Sequence, residues 1–135
     1  MAFINVVSST VFFPTAVFAY IKKQLGHSFI LAMLVLTSWC YHSNKSNKCF
    51  KRIDKTMVNA CIFYGFFAMR NKKFQGENIF CYIVAFLCFF ISGTLYYYGH
   101  YADMFCYSKD GYGEIYHAFV HGFASVAQLA TLNLK

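Results

Sequence analysis

Long, uninterrupted apolar segments are the feature that most limits what this chain can fold into. The clearest is FCYIVAFLCFFISGTLYYY, within residues 78–98, which contains no charged side chain. A helix needs about 20 predominantly apolar residues to cross the hydrocarbon core of a bilayer. Four more segments come close to that length, and the sequence therefore predicts five membrane spans, at residues 3–20, 25–42, 54–69, 78–98 and 112–132.

Composition agrees with a membrane protein built from helices. At 135 residues and 59% hydrophobic content, the chain has more apolar surface than a soluble domain of this size can bury. The apolar runs are continuous rather than alternating, which opposes a transmembrane β-barrel. No basic residue precedes the first run, so residues 3–20 are predicted to be a span and not a signal peptide. We therefore expect a single all-α, polytopic transmembrane bundle.

The positive charge of the chain is consistent with membrane anchoring rather than nucleic-acid binding. The net charge is +7, but the basic residues lie at the ends of the apolar runs, where they can contact lipid headgroups. We call the first face the side that holds the amino terminus, the loop between spans two and three, and the loop between spans four and five. Six basic residues fall on each face, so only the charge density of the 43–53 loop favours a cytoplasmic first face. The sequence does not indicate which membrane the chain occupies.

Two histidines in the fifth predicted span form the first candidate site. His117 and His121 are four residues apart, so they share one face of a helix with Cβ atoms about 5–6 Å apart. Ionisable residues inside membrane spans are costly and usually have a functional reason. Such a pair can bind one metal ion, although two histidines that hydrogen-bond to neighbouring helices fit the same spacing.

Three further residues are predicted to lie at the same membrane depth as this pair. Ser38 and His42 share a face at the end of the second span, and Asp54 begins the third. Taken alone, His42 fits an interfacial residue and Asp54 fits a helix N-cap. With five spans, however, all of these residues lie on the first face, at the level where the fifth span begins.

Together these side chains match the chemistry of a catalytic zinc site. Three imidazoles and a water give the open tetrahedral arrangement of a catalytic Zn²⁺ ion. Asp54 would then hydrogen-bond that water or a ligand imidazole and act as a general base. Ser38, one turn from His42, would orient the water or stabilise a developing oxyanion.

The pattern of Ser38-x-x-x-His42, Asp54 after a short basic loop, and His117-x-x-x-His121 resembles the signature of the CREST superfamily. That superfamily includes alkaline ceramidases, progestin and adipoQ receptors, and hemolysin-III-like proteins. The segments TSWCYHSN, FKRIDKTMV and IYHAFVHGF are most similar to the hemolysin-III and adipoQ-receptor branch. The resemblance implies zinc bound by the three histidines, with Asp54 and Ser38 completing the site. Family members usually have seven spans, so five spans describe a shortened bundle, which a second copy of the chain could complete.

Three functions remain open from the sequence. The leading prediction is a zinc-dependent intramembrane hydrolase that acts on a lipid amide, as a ceramidase does, with membrane lipids as its partners. The second is a receptor-like or pore-forming protein whose zinc is structural. The third is a small membrane protein without metal. Of the other polar residues, His27 and His100 are predicted to be interfacial, and Gln128 is predicted to form a helix-to-helix hydrogen bond.

Overall fold

The fold is entirely helical over the described part of the chain, residues 2–135 of a computed structural model. Seven α-helices follow one another, with a π-helical turn at Thr94–Tyr98 and a 3-10 turn at Phe105–Tyr107. The α-helices are α1 (Ala2–Ser9), α2 (Phe12–Ile21), α3 (Leu25–Ser43), α4 (Lys48–Arg70), α5 (Asn78–Gly93), α6 (Gly99–Ala102) and α7 (Gly113–Leu132).

Within residues 2–135, three helical segments are long and apolar enough to cross a membrane. They are Phe3–Ile21, Leu25–Ser43 and Asn78–Ala102, and they match the predicted first, second and fourth spans. The third and fifth predicted spans correspond to α4 and α7, which are helices of 23 and 20 residues with a lower apolar content. The all-helical prediction is therefore confirmed, and three segments have the length and composition expected of an integral membrane protein.

The first predicted span is divided into two helices near its only proline. α1 ends at Ser9 and α2 begins at Phe12, which places Pro14 in the first turn of α2. Proline has no N–H to donate to the carbonyl four residues earlier, here that of Thr10. The Phe13 N–H donates to that carbonyl instead, at 2.9 Å, in a tighter turn. The interruption therefore falls just before Pro14.

α4 begins earlier than the sequence pattern predicts. The Asn47 side chain accepts hydrogen bonds from the backbone N–H of Cys49 at 2.9 Å and of Phe50 at 3.3 Å, which caps the helix. Asp54 consequently lies inside α4 and is buried. The interpretation of Asp54 as an N-cap is wrong, because Asn47 performs that role about two turns earlier.

Two apolar clusters organise the packing. The first joins α2, α3 and α4, around Phe12, Leu31 and Cys61, and the second joins α4, α5 and α7, around Met69, Phe89 and Ala127. α4 packs mainly against α3, whereas α5 packs mainly against α7. Side chains of α4 and α5 line a cleft between these two helices.

A buried polar cluster connects three of these helices. Gln128 of α7 pairs through Oε1 with Nε2 of His27 on α3 at 2.7 Å, and its amide donates to the Cys61 carbonyl of α4 at 3.0 Å. The predicted helix-to-helix hydrogen bond of Gln128 is confirmed. The prediction that His27 is interfacial is wrong, because its side chain is fully buried beside Gln128.

Candidate metal centre

The three predicted histidine ligands come together in the fold. His42, His117 and His121 each present a ring nitrogen within 4.8 Å of the other two. Their ring centroids are 4.9 to 5.6 Å apart, and the rings are turned edge to face. Three nitrogen donors at this separation can share one metal ion. His42 and His121 are buried, and His117 is half-buried.

His42 provides the best evidence that the cluster suits a cation. Both of its ring nitrogens are buried, and neither has a hydrogen-bond partner among the described residues. Buried polar atoms are nearly always paired, so an orphaned imidazole calls for an explanation. A metal ion between the three rings would satisfy the lone pair of one nitrogen.

Two helix ends position the ligands. His42 lies in the last turn of α3, and His117 and His121 lie one turn apart near the beginning of α7. The histidine side chains at these helix ends meet, although 75 positions separate His42 and His117 in the chain. The two histidine motifs are therefore brought together in the fold.

Ser38 and Asp54 are joined, but in a different way from that predicted. The Ser38 hydroxyl donates to Asp54 Oδ1 at 2.6 Å, and the Thr37 hydroxyl lies 3.4 Å from the same oxygen. No hydrogen bond within residues 2–135 links Asp54 to any of the three imidazoles. In this conformation Ser38 therefore orients Asp54, and it does not donate to a water or to an oxyanion.

α1 contributes contacts that the sequence analysis did not identify. Ser8 Oγ lies 2.8 Å from Nδ1 of His121. Asn5 hydrogen-bonds to Glu114, which also forms an ion pair with Lys45. Asn5 and Ser8 are polar residues one turn apart within an apolar segment, and that spacing was the signal available for predicting a polar face on this helix.

An apolar cavity of about 310 Å³ begins at the histidine cluster. His121, Ser38 and Gln128 line it, together with apolar side chains of α2, α3 and α7. Aromatic and aliphatic side chains of α4 and α5 form most of the remaining wall: Val58, Ile62, Phe66, Phe86, Phe89 and Phe90. It occupies the cleft between these two helices. The candidate metal centre therefore adjoins a space suited to a hydrocarbon chain.

The π-helical turn after α5 brings a tyrosine to the same place. Tyr96 lines the cavity, and its ring centroid is 5.9 Å from that of His117. Tyr97, the next residue, donates a hydrogen bond to Asn59 of α4 at 2.5 Å, and this contact bridges the cleft between α4 and α5. π-helical turns are frequent at functional sites because they redirect side chains.

No family model, curated protein or solved structure matches the chain. The protein is all-helical over the described residues, has three membrane-length helices, and contains a three-histidine cluster that can hold a metal ion. The resemblance to the CREST superfamily stays a prediction.

Proposed function

We propose that this chain is a zinc-dependent intramembrane hydrolase of a lipid amide and a five-span relative of the CREST superfamily. One observation carries the proposal. His121 belongs to the three-histidine cluster and also lines the apolar cavity. A metal ion on the cluster would therefore lie beside the polar end of a lipid whose chain occupies the cavity.

Zinc is the metal that best suits this donor set. Imidazole nitrogens are among its preferred ligands, and sites with three protein ligands leave one coordination position open for chemistry. A bound zinc ion supplies a Lewis acid that activates water and polarises a carbonyl. The orphaned nitrogens of His42 fit such an ion.

Asp54 is the proposed general base. Ser38 and Thr37 both contact its Oδ1, which fixes the carboxylate and leaves Oδ2 to accept a proton from water. Ser38 also lines the cavity, so this pair adjoins the space proposed for the substrate. The proposed base on α4 is thereby linked through Ser38 to the cavity that His121 also lines.

Five spans follow if α4 and α7 also cross the membrane. Residues 56–69 of α4 contain no charged side chain, and Glu114 is the only charged residue of α7. The basic residues at both ends of α4 can extend toward the headgroups. A crossing by α4 followed by the return crossing of α5 would place the end of α3 and the beginning of α7 on one face, as the cluster requires.

The cavity favours a lipid as the substrate. Its walls are mainly aromatic and aliphatic, and the wall residues Phe86 and Phe90 are also exposed on the outer surface, so an acyl chain would enter from the bilayer side. An acyl chain would lie in the cleft, with the amide carbonyl at the end near His121 and Ser38. A ceramide has this combination of an amide and a long hydrocarbon chain.

Fatty-acid release by the purified full-length chain tests this proposal, with ceramide as substrate. We expect Gly93→Leu to lower the rate about 10- to 100-fold, because excluding about two or three methylenes forfeits about 0.8 kcal/mol each. Gly93 lines the cavity, and a Cβ there meets no described atom within 4 Å, so leucine can enter the space without a clash.

Gly122→Leu is the matched control. A Cβ at Gly122 also meets no described atom within 4 Å, but this glycine lies outside the cavity lining, so the rate should stay unchanged. Equal rates for the two leucine variants would contradict an acyl chain in the cavity. Zinc retained by the wild type without any release of fatty acid would instead support a structural metal.

A further inference from the structure

Ser8 of α1 contacts the three-histidine cluster through His121. Its Oγ is 2.8 Å from Nδ1 of His121 and 3.3 Å from the Asn5 carbonyl. A serine hydroxyl has one proton to donate and lone pairs to accept with. When that proton points to the Asn5 carbonyl, the oxygen accepts from Nδ1–H of His121. The tautomer of His121 that this favours has its lone pair on Nε2, which is the nitrogen left to face the cluster.

We propose that Ser8 is a positioning residue of the metal centre, holding His121 in the tautomer and orientation in which Nε2 binds the cation. The inference rests on the proposed metal site and adds α1 to it. Histidine ligands commonly donate their second ring N–H to an oxygen acceptor, which fixes the ring and raises its basicity. Ser8 is the residue that provides such an oxygen to His121 here.

A second contact holds α1 in register on α7. Asn5 hydrogen-bonds to Glu114, one turn before His117 on α7, and Glu114 also pairs with Lys45 just after α3. Asn5 and Ser8 are one turn apart on α1, and Glu114 and His121 are two turns apart on α7. These two contacts lie at different positions along the helices, so they fix both the position and the rotation of α1. The hydroxyl of Ser8 is therefore directed at the imidazole of His121.

The adjacent serine shows what a purely structural hydroxyl does in this helix. Ser9 is fully buried, and its Oγ donates to the Val6 carbonyl of its own helix at 2.8 Å. It contacts none of the three histidines through a hydrogen bond within the described residues. Ser9→Ala is therefore the matched control for a loss of hydroxyl from α1.

The test compares Ser8→Thr with Ser8→Val in the detergent-purified full-length chain. Threonine and valine have nearly the same volume, but only threonine keeps the hydroxyl. Zinc affinity is measured by competition with a chelator, and cobalt is used as a spectroscopic probe of the ligand field. We expect valine to weaken zinc binding about 10- to 100-fold, the effect typical of losing such a partner, and to alter the cobalt spectrum.

Ser8→Thr and Ser9→Ala should bind zinc as the wild type does. Equal zinc affinities and cobalt spectra for the threonine and valine variants, both folded, would overturn the role of Ser8 while leaving the metal site in place. If valine does not fold, Ser8→Ala against Ser8→Thr gives the same comparison. A wild type that binds neither metal would overturn the proposed function as well.

Discussion

Replacing His117 with alanine is expected to weaken zinc binding by more than about 100-fold, since even partners of ligands are worth about 10- to 100-fold. His117 contributes one of the three ring nitrogens that lie within 4.8 Å of one another. Its loss leaves two imidazoles, too few protein ligands for a typical zinc site. Isothermal titration of the detergent-purified variant with zinc measures the change.

His100→Ala is the control for this loss. His100 lies in α6 beside Tyr107, at 4.7 Å between ring centroids, and is not part of the cluster. Its removal should leave the zinc affinity unchanged. Equal zinc affinity for the His117 and His100 variants would show that zinc binds somewhere other than the three-histidine cluster.

Replacing Asp54 with asparagine is expected to reduce hydrolysis about 100- to 10,000-fold, the usual contribution of a general base. Asparagine keeps the size of the side chain and the oxygen that accepts from Ser38, but it cannot take a proton from water. Zinc binding should persist, because Asp54 makes no hydrogen bond to an imidazole in residues 2–135. Fatty-acid release and zinc titration on the same preparation separate the two effects.

Asp103→Asn is the control for Asp54→Asn, because it removes one carboxylate charge away from the candidate site. Asp103 follows α6 in the left-handed region, with φ of 52°, which asparagine adopts as readily as aspartate. This variant should hydrolyse lipid amide at the wild-type rate. Full activity of Asp54→Asn would exclude Asp54 as the base, and loss of zinc in that variant would make it a structural partner of the metal centre.

The helices and the grouping of the three histidines could be predicted from the sequence, because the first depends on local patterns and the second on the number of crossings. Apolar runs identify helices through their length, and a four-residue spacing places His117 and His121 on one face. The convergence with His42 followed from counting spans, since an even number of crossings returns the chain to the same side. Neither the spacing nor the number of crossings depends on how the helices pack.

The supporting contacts could not be predicted because they depend on helix rotation. Ser38 reaches Asp54, and Ser8 reaches His121, only for one set of rotations of α1, α3, α4 and α7 about their axes. Apolar residues surround most of these helices, so the sequence pattern does not define which side faces the protein. The burial of His27 was missed for the same reason, as its partner Gln128 lies 101 positions away.

The beginning of α4 was not predicted, because an N-cap starts this helix within a charged segment and not at the beginning of the apolar run. The charged segment before residue 54 was predicted to be a loop, yet Asn47 caps a helix that continues through it. Lysine and arginine are good helix formers, so such a segment can be helical outside the apolar region. This extension places Asp54 inside a rigid element, within reach of Ser38.

The metal content of the wild-type chain, measured by mass spectrometry after zinc loading and removal of free metal, addresses the central claim most directly. X-ray absorption at the zinc edge of the same sample identifies the ligands. We predict one zinc per chain, with three imidazole nitrogens at about 2.0–2.1 Å. Clearly less than one zinc per chain, or a ligand shell without three imidazoles, would contradict the account.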